Sequence, residues 1–178
     1  MKNANPVSLG MGIAAAALMA LCLCACGKGR IADGSAAVKS VKDPFAVEIG
    51  GHPTELQFAV NTLEQEHGLM DRPDLGGDEG MIFVYTVPQR VNFWMSHTPE
   101  SLDIAYLGRD GVIAEIYPLY PNDLRTVSSR SDRIQFAIEM PQGWFAAHGI
   151  RAGSAVDMRA VAAGLTARGL DPATFGLR

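Results

Sequence analysis

The tetrapeptide Gly108-Arg109-Asp110-Gly111, set between two apolar runs, constrains the fold more than any other stretch of the chain. Asp-Gly readily takes the positive-φ conformations of a tight hairpin turn, so Leu102 to Leu107 and Val112 to Tyr117 are predicted to lie antiparallel, side by side. With either a two-residue or a four-residue loop, Leu107 shares a face with Val112, Ala114 and Ile116. Side chains alternate along a strand, which puts Asp103 on the same apolar face as Ala105 and Leu107. A carboxyl there needs donors or the rim of a pocket.

Other strands are written in the same terms. Phe45 to Ile49 alternates, Gly50-Gly51-His52-Pro53 breaks the pattern, and Leu56 to Val60 resumes it: a second hairpin, with His52 solvated in its turn. Met81 to Tyr85, between Gly80 and Pro88, and Val91 to Met95 are predicted strands; in the latter Phe93 and Met95 face one way and Trp94 the other. Ile134 to Met140 alternates as a further strand, and the polar stretch 122–132 reads as a loop. Helical signals are fewer. Thr62 with Gln65 fits a capping box, with Glu64 and Glu66 in the first turn and Gly68 at the end. Pro141-Gln142-Gly143-Trp144 opens a short helix that closes at Gly149, with His148 in its last turn. Asp157 caps a final amphipathic helix through Met158, Val161, Ala162 and Leu165, which Gly169 stops. There is no internal repeat. The predicted fold class is α+β and β-rich: a small barrel-like or sandwich-like antiparallel sheet with short peripheral helices.

The first residues follow a different logic. Lys2 is the only charge before residue 28, and Val7 to Ala25 is almost wholly apolar or small. This is the pattern of a secretory signal, of borderline length for a bilayer span of about 20 residues. Leu23-Cys24-Ala25-Cys26-Gly27 resembles the processing box of bacterial lipoproteins, whereas Cys22 and Cys24 each follow a leucine and lack the small residue before the cut. Cys26 is therefore the expected lipidated N-terminus. Without Asp after it, the resemblance points to the outer membrane, facing the periplasm. The membrane is then one expected partner, reached through that lipid. Two of the three cysteines leave with the signal and the third is acylated, which removes disulfide, thiol-nucleophile and cysteine-metal chemistry together. The expected organisation is a signal peptide over 1–25, a flexible tether over 26–43, a folded domain over 44–156 and a C-terminal helix and tail over 157–178. The formal charge of −4 moves to about −5 without Lys2, and basic residues are scattered, which argues against nucleic acid.

The chemistry-bearing residues gather around the corner Phe93-Trp94-Met95-Ser96-His97-Thr98 and the following Asp103. Asp103 can act as a general base with His97 or Thr98 beside it and Arg72 as an anion clamp. The favoured reading is that it is a structural acceptor for N–H groups of the 96–101 turn, which explains the same pattern without catalysis. Trp94 is either core or a stacking platform for a glycan ring or peptide side chain. The acids Asp71, Asp74, Asp78 and Glu79 do not follow calcium-loop spacing, and His67 and His97 lack companions at ligand spacing, so no metal is called. No cofactor motif, serine elbow or phosphate loop is present.

Glu66, Gly68-Leu69-Met70 with Arg72 and Leu75, Gly80-Met81 with Phe83, Phe93-Trp94-Met95, Thr98, Leu102-Asp103, Ala105, Asp110-Gly111, Glu139-Met140-Pro141, Gly143, Gly149 and Gly153 stand in the order and spacing of a known family. Over about residues 54–156 the chain resembles the domain-of-unknown-function-192 family. The resemblance implies a compact, mostly β domain, often exported and lipid-anchored, with no established reaction. Where the family carries Lys-Asn before the corner threonine, this chain has Ser96-His97. The expected function is a non-catalytic accessory module of the cell envelope that binds a small molecule, glycan or protein through Arg72, Trp94, Thr98 and Asp103. The alternative is a periplasmic hydrolase-like or lyase-like enzyme with Asp103 as base and His97 beside it.

Overall fold

A computed structural model describes residues 37–177. The expected signal peptide, Cys26 and the tether up to residue 36 lie outside the described residues. The end of the expected tether, residues 37–43, makes a local turn in which Asp43 accepts from the Ser40 N–H at 2.6 Å, and the Lys39 N–H reaches the Ala167 carbonyl at 3.0 Å.

Strands β1 (Phe45–Ile49) and β2 (His52–Ala59) form the first hairpin. Its turn is the pair Gly50 and Gly51, both at positive φ (60° and 84°), the conformation glycine adopts without a Cβ clash. His52 is thus not in the turn: it begins β2 opposite Ile49, half-buried, its ring 4.8 Å from that of His148. Helix α1 (Thr62–His67) follows. Its cap lies one residue earlier than the sequence signal. The Asn61 side chain accepts from the Glu64 N–H, while the Glu64 carboxylate accepts from the Val60 N–H. Gln65 instead donates to the Val84 carbonyl.

The chain then enters β3 (Glu79–Gln89), which lies parallel to β2. Further on come β4 (Asn92–Phe93), β5 (Leu102–Leu107), β6 (Ile113–Leu119), β7 (Val127–Ser128) and β8 (Ile134–Pro141). Six strands make one sheet in the order β1-β2-β3-β8-β5-β6, and β4 pairs with β7 in a separate ribbon. The domain is α+β and β-rich, as expected. The large sheet is mixed, because α1 and its loops carry the chain from β2 to a parallel neighbour, and among the described residues it does not close into a barrel. The expected strand at Val91 to Met95 is cut to two paired residues, and the expected loop 122–132 supplies its partner, β7.

The Asp-Gly hairpin forms with residues 108–112 between its strands, Gly111 at φ 73° and the Val112 N–H held by the Asp110 carboxylate. Its register differs near the turn. A bulge between Tyr106 and Leu107 sets Leu107 opposite Ile113, while Val112 bridges to Ala155. Beyond the bulge Ala105 faces Ile116 and Asp103 faces Pro118.

Both faces of the sheet are covered. On one, Val161 and Leu165 of α3 (Met158–Ala167), Trp144 and Phe145 of α2 (Trp144–Ala147) and Phe175 pack on Leu56, Phe58, Ile82, Ala105 and Ile138. Asp157 caps α3 by accepting from Arg159 and Ala160, and Gly169 takes φ 72° after it. The tail is part of this layer: a 3₁₀ turn, Pro172–Phe175, buries Phe175, and Gln135 donates to the Phe175 carbonyl at 2.9 Å. Arg168, after α3, pairs with Glu64 at 2.6 Å and also donates to the Phe58 carbonyl, so the last helix docks on its own domain. On the other face, Leu69, Val91, Phe93 and Met95 cover Met81, Phe83, Ile104, Tyr106 and Ala137.

Candidate functional site

The site follows from strand parity. β8 is central, between β3 and β5, so neither of its faces meets water. Phe136, Ile138 and Met140 point to the helical layer, and Glu139 points to the layer built on β4, opposite Met81 on one side and Ile104 on the other. Glu139 is only 4% exposed. It makes no side-chain hydrogen bond or ion pair among the described residues, and burial pushes its carboxyl up to about 8. The carboxyl is therefore largely protonated at neutral pH.

Above Glu139 lies a cavity of about 210 Å³. β3 contributes Phe83 and Tyr85 to its wall, and the β4 segment contributes Asn92, Phe93 and Trp94. Gln65, Glu66, His67 and Gly68, with Leu69 and Met70, close it from the α1 side, and Thr98 closes it at the corner. The ring of Phe83 meets that of Phe93 edge to face at 4.7 Å. Tyr85 titrates above the usual phenol range, first through burial and second through the nearby Glu139 carboxylate. Tyr106 beneath shows the same upward shift and donates its hydroxyl to the Val127 carbonyl at 2.8 Å. Trp94 is 56% exposed at the mouth, outside the core.

Backbone bonds hold the two walls together. His97 and Asp71 both adopt left-handed backbone, φ 53° and 57°, and the Asp71 N–H donates to the His97 carbonyl at 2.8 Å. That bond joins the loop after α1 to the Trp94 corner, and local strain of this kind persists only where its surroundings enforce it. The Thr98 hydroxyl donates to the Ser96 carbonyl and the Thr98 carbonyl accepts from Asn122. The His97 side chain is exposed and outside the cavity lining.

The residues singled out in sequence separate into three places. Trp94 and Thr98 line the cavity. Asp103 does not: it shares the parity of Ala105 and Leu107, whose side chains belong to the helical layer, whereas Leu102, Ile104 and Tyr106 face the cavity layer. Its carboxylate accepts from the Gly143 N–H at 2.8 Å, so the donor comes from the start of α2 and not from the 96–101 turn. Partial burial lifts the Asp103 carboxyl above its ordinary range, with the Gly143 bond pulling the other way. Arg72 is engaged with Asp74 at 3.1 Å, Gln57 at 3.2 Å and Glu79 at 3.7 Å, beside a separate depression.

Glu139 is the residue to which the sequence reading gave no role, although Glu139-Met140-Pro141 stands in the motif. Period-two alternation alone assigns Gln135, Ala137 and Glu139 to a solvent face. The signal that points inward is that both neighbouring strands are apolar on both faces.

Among known families, the model for domain-of-unknown-function-192 (DUF192), described as an uncharacterized ACR, matches residues 45–158. No curated protein matches the chain. Among solved structures, the fold is similar to that of a Sinorhizobium meliloti 1021 protein described as a "putative transcription regulator", at 26% identity and TM-score 0.61, over 64% of this chain and 92% of that one. It is also similar to a protein of unknown function from Novosphingobium aromaticivorans DSM 12444, at 31% identity and TM-score 0.61, over 64% and 84%.

Proposed function

Since the chain belongs to the DUF192 family, whose shared domain brings no assigned reaction, we propose that it is a binding module which holds a small molecule in the cavity over Glu139 without turning it over. In this reading the lipid on Cys26 tethers the module to the membrane, facing the periplasm. The observation that carries the proposal is the Glu139 carboxyl, buried without a partner among the described residues beneath an aromatic-walled cavity. Both features cost folding free energy: the carboxyl gives up water, and the walls give up packing contacts. A ligand that satisfies the one and fills the other offsets both. The half-exposed Trp94 at the mouth provides an apolar face to capture it.

Two facts favour binding over the alternative of an Asp103-dependent enzyme. Asp103 and the cavity belong to opposite faces of the sheet, and its carboxylate is bonded to the Gly143 N–H. Arg72, the proposed anion clamp, is already paired with acids.

The test is a fragment screen read by ligand NMR and tryptophan fluorescence on the full-length chain in a mild detergent. Fragments are expected to bind wild type and not Asn92→Trp, which places an indole at the exposed lip of the cavity. Asp103→Asn, whose side-chain oxygen still accepts the Gly143 N–H, is expected to bind like wild type. Equal binding by folded Asn92→Trp moves the site elsewhere, and loss of binding in folded Asp103→Asn restores Asp103 to it.

A further inference from the structure

We propose that the cavity over Glu139 is a site for a small organic cation, an alkylammonium of about the size of choline, with Glu139 as its counter-charge and the surrounding rings as its cage. This rests on the reading that the cavity is a ligand site and specifies the chemistry of its occupant.

The first argument is the sign of the lining. Glu139 lies at the base and Glu66 at the rim, with His67 beside them, and among the described residues no lysine or arginine lines the cavity. An anionic ligand meets no fixed cation there. A neutral ligand can accept a hydrogen bond from protonated Glu139 but leaves the Glu66 carboxylate without a counter-charge.

The second argument is the wall. Phe83, Tyr85, Phe93 and Trp94 all line the same small space. The face of an aromatic ring carries negative potential, and rings lining one space favour a cation whose charge is spread over methyl groups. Such a cation gives up less hydration than a compact ammonium, which suits a site with few hydrogen-bond acceptors. Trp94 stands half-exposed at the mouth of the same space.

The third argument is fit. A volume of about 210 Å³ leaves room for a compact ligand of about seven heavy atoms, the size of choline.

Binding a permanent cation has a proton balance that can be measured. Near neutral pH the free protein holds Glu139 mostly as the acid. When the cation enters, the carboxyl O–H bond breaks, the proton passes to buffer and the carboxylate stays beside the ligand. The other titratable groups facing Glu139 are Tyr85 on β3, Tyr106 on β5, and Glu66 and His67 on the α1 side. Both phenols titrate well above this range.

The experiment is calorimetry of choline chloride binding to the full-length chain in detergent at pH 7, in buffers of low and high ionisation enthalpy. The expected result is release of most of one proton per choline bound. The uncharged isostere 3,3-dimethylbutan-1-ol is expected to bind at least tenfold more weakly and to release none. Glu139→Gln is expected to lose at least tenfold in choline affinity while keeping its affinity for the alcohol. The wild-type comparison of choline with the alcohol stands even if that variant misfolds. Equal affinity for the two ligands, or choline binding without proton release, overturns the cation assignment. Glycerophosphocholine separates a free cation from a lipid head group: tighter binding than choline overturns the free small cation. Failure of choline while fragments still bind in the cavity removes this inference alone, and failure of all fragments removes the binding-module reading as well.

Discussion

Replacing Glu139 by glutamine tests the electrostatics of the site without any ligand. In wild type the carboxyl titrates near 4.5 when unfolded and at about 8 when folded. Between these values the folded state holds a proton that the unfolded state has released. Stability then falls as pH rises, by about 1.4 kcal/mol per pH unit, and the fall ends above the folded pKa. The contribution is fully present below pH 4.5 and is lost through pH 8. Between pH 5 and 8 the loss integrates to about 3–4 kcal/mol, a large share of the 5–15 kcal/mol typical of a domain. Glutamine keeps the shape and cannot ionise. The variant should therefore lack this slope, and its stability relative to wild type should rise by about that amount from pH 5 to 8. Urea unfolding of both proteins at pH 5, 6, 7 and 8, followed by the fluorescence of Trp144, which is 6% exposed, measures the difference directly. Other titrating groups, Asp103 included, are common to both proteins and cancel. Parallel pH profiles for the two proteins would refute a buried, proton-holding Glu139.

Three further outcomes are expected, two from the packing and one from the anchor proposal. A Cβ at Gly80 would collide with the Glu139 carbonyl and the Met140 sulfur, so Gly80→Ala should force β3 and β8 apart and cost about 2–3 kcal/mol in thermal unfolding; an unchanged melting point contradicts this. Arg168 and Glu64 form a pair with side chains 8% and 16% exposed, so Arg168→Met should leave a buried charge unpaired and cost about 3 kcal/mol by urea titration, with part regained when Glu64→Met is added. Cys26→Ser should abolish lipid attachment, so an unchanged membrane fraction and mass would end the anchor proposal.

How much was legible from sequence depends on the range over which each decision is made. The Gly50-Gly51 and Asp110-Gly111 turns, the Asp157 cap and the Gly169 stop are settled by residues within a few positions of one another, and the structure holds all four. Where two local solutions compete, the reading slipped by one residue. The cap fell to Asn61 because the Glu64 carboxylate can reach the Val60 N–H, and a bulge moved Leu107 opposite Ile113.

The site belongs to the other class. Asp103 and Trp94 are near in sequence and lie in opposite layers, because alternation along β5 turns Asp103 away from Ile104 and Tyr106. Glu139 lies about forty positions beyond both and became the base of the cavity because β8 was placed between β3 and β5. The sequence by itself determined where the six strands of the large sheet and their tight turns fall, since turn chemistry and side-chain periodicity are local, whereas the short β4-β7 ribbon came from pairing at a distance. Only the tertiary structure decided which strand is central and which of its faces is covered, because that depends on pairings between segments tens of residues apart. Those pairings turned an acid in an alternating strand into a buried carboxyl facing the cavity.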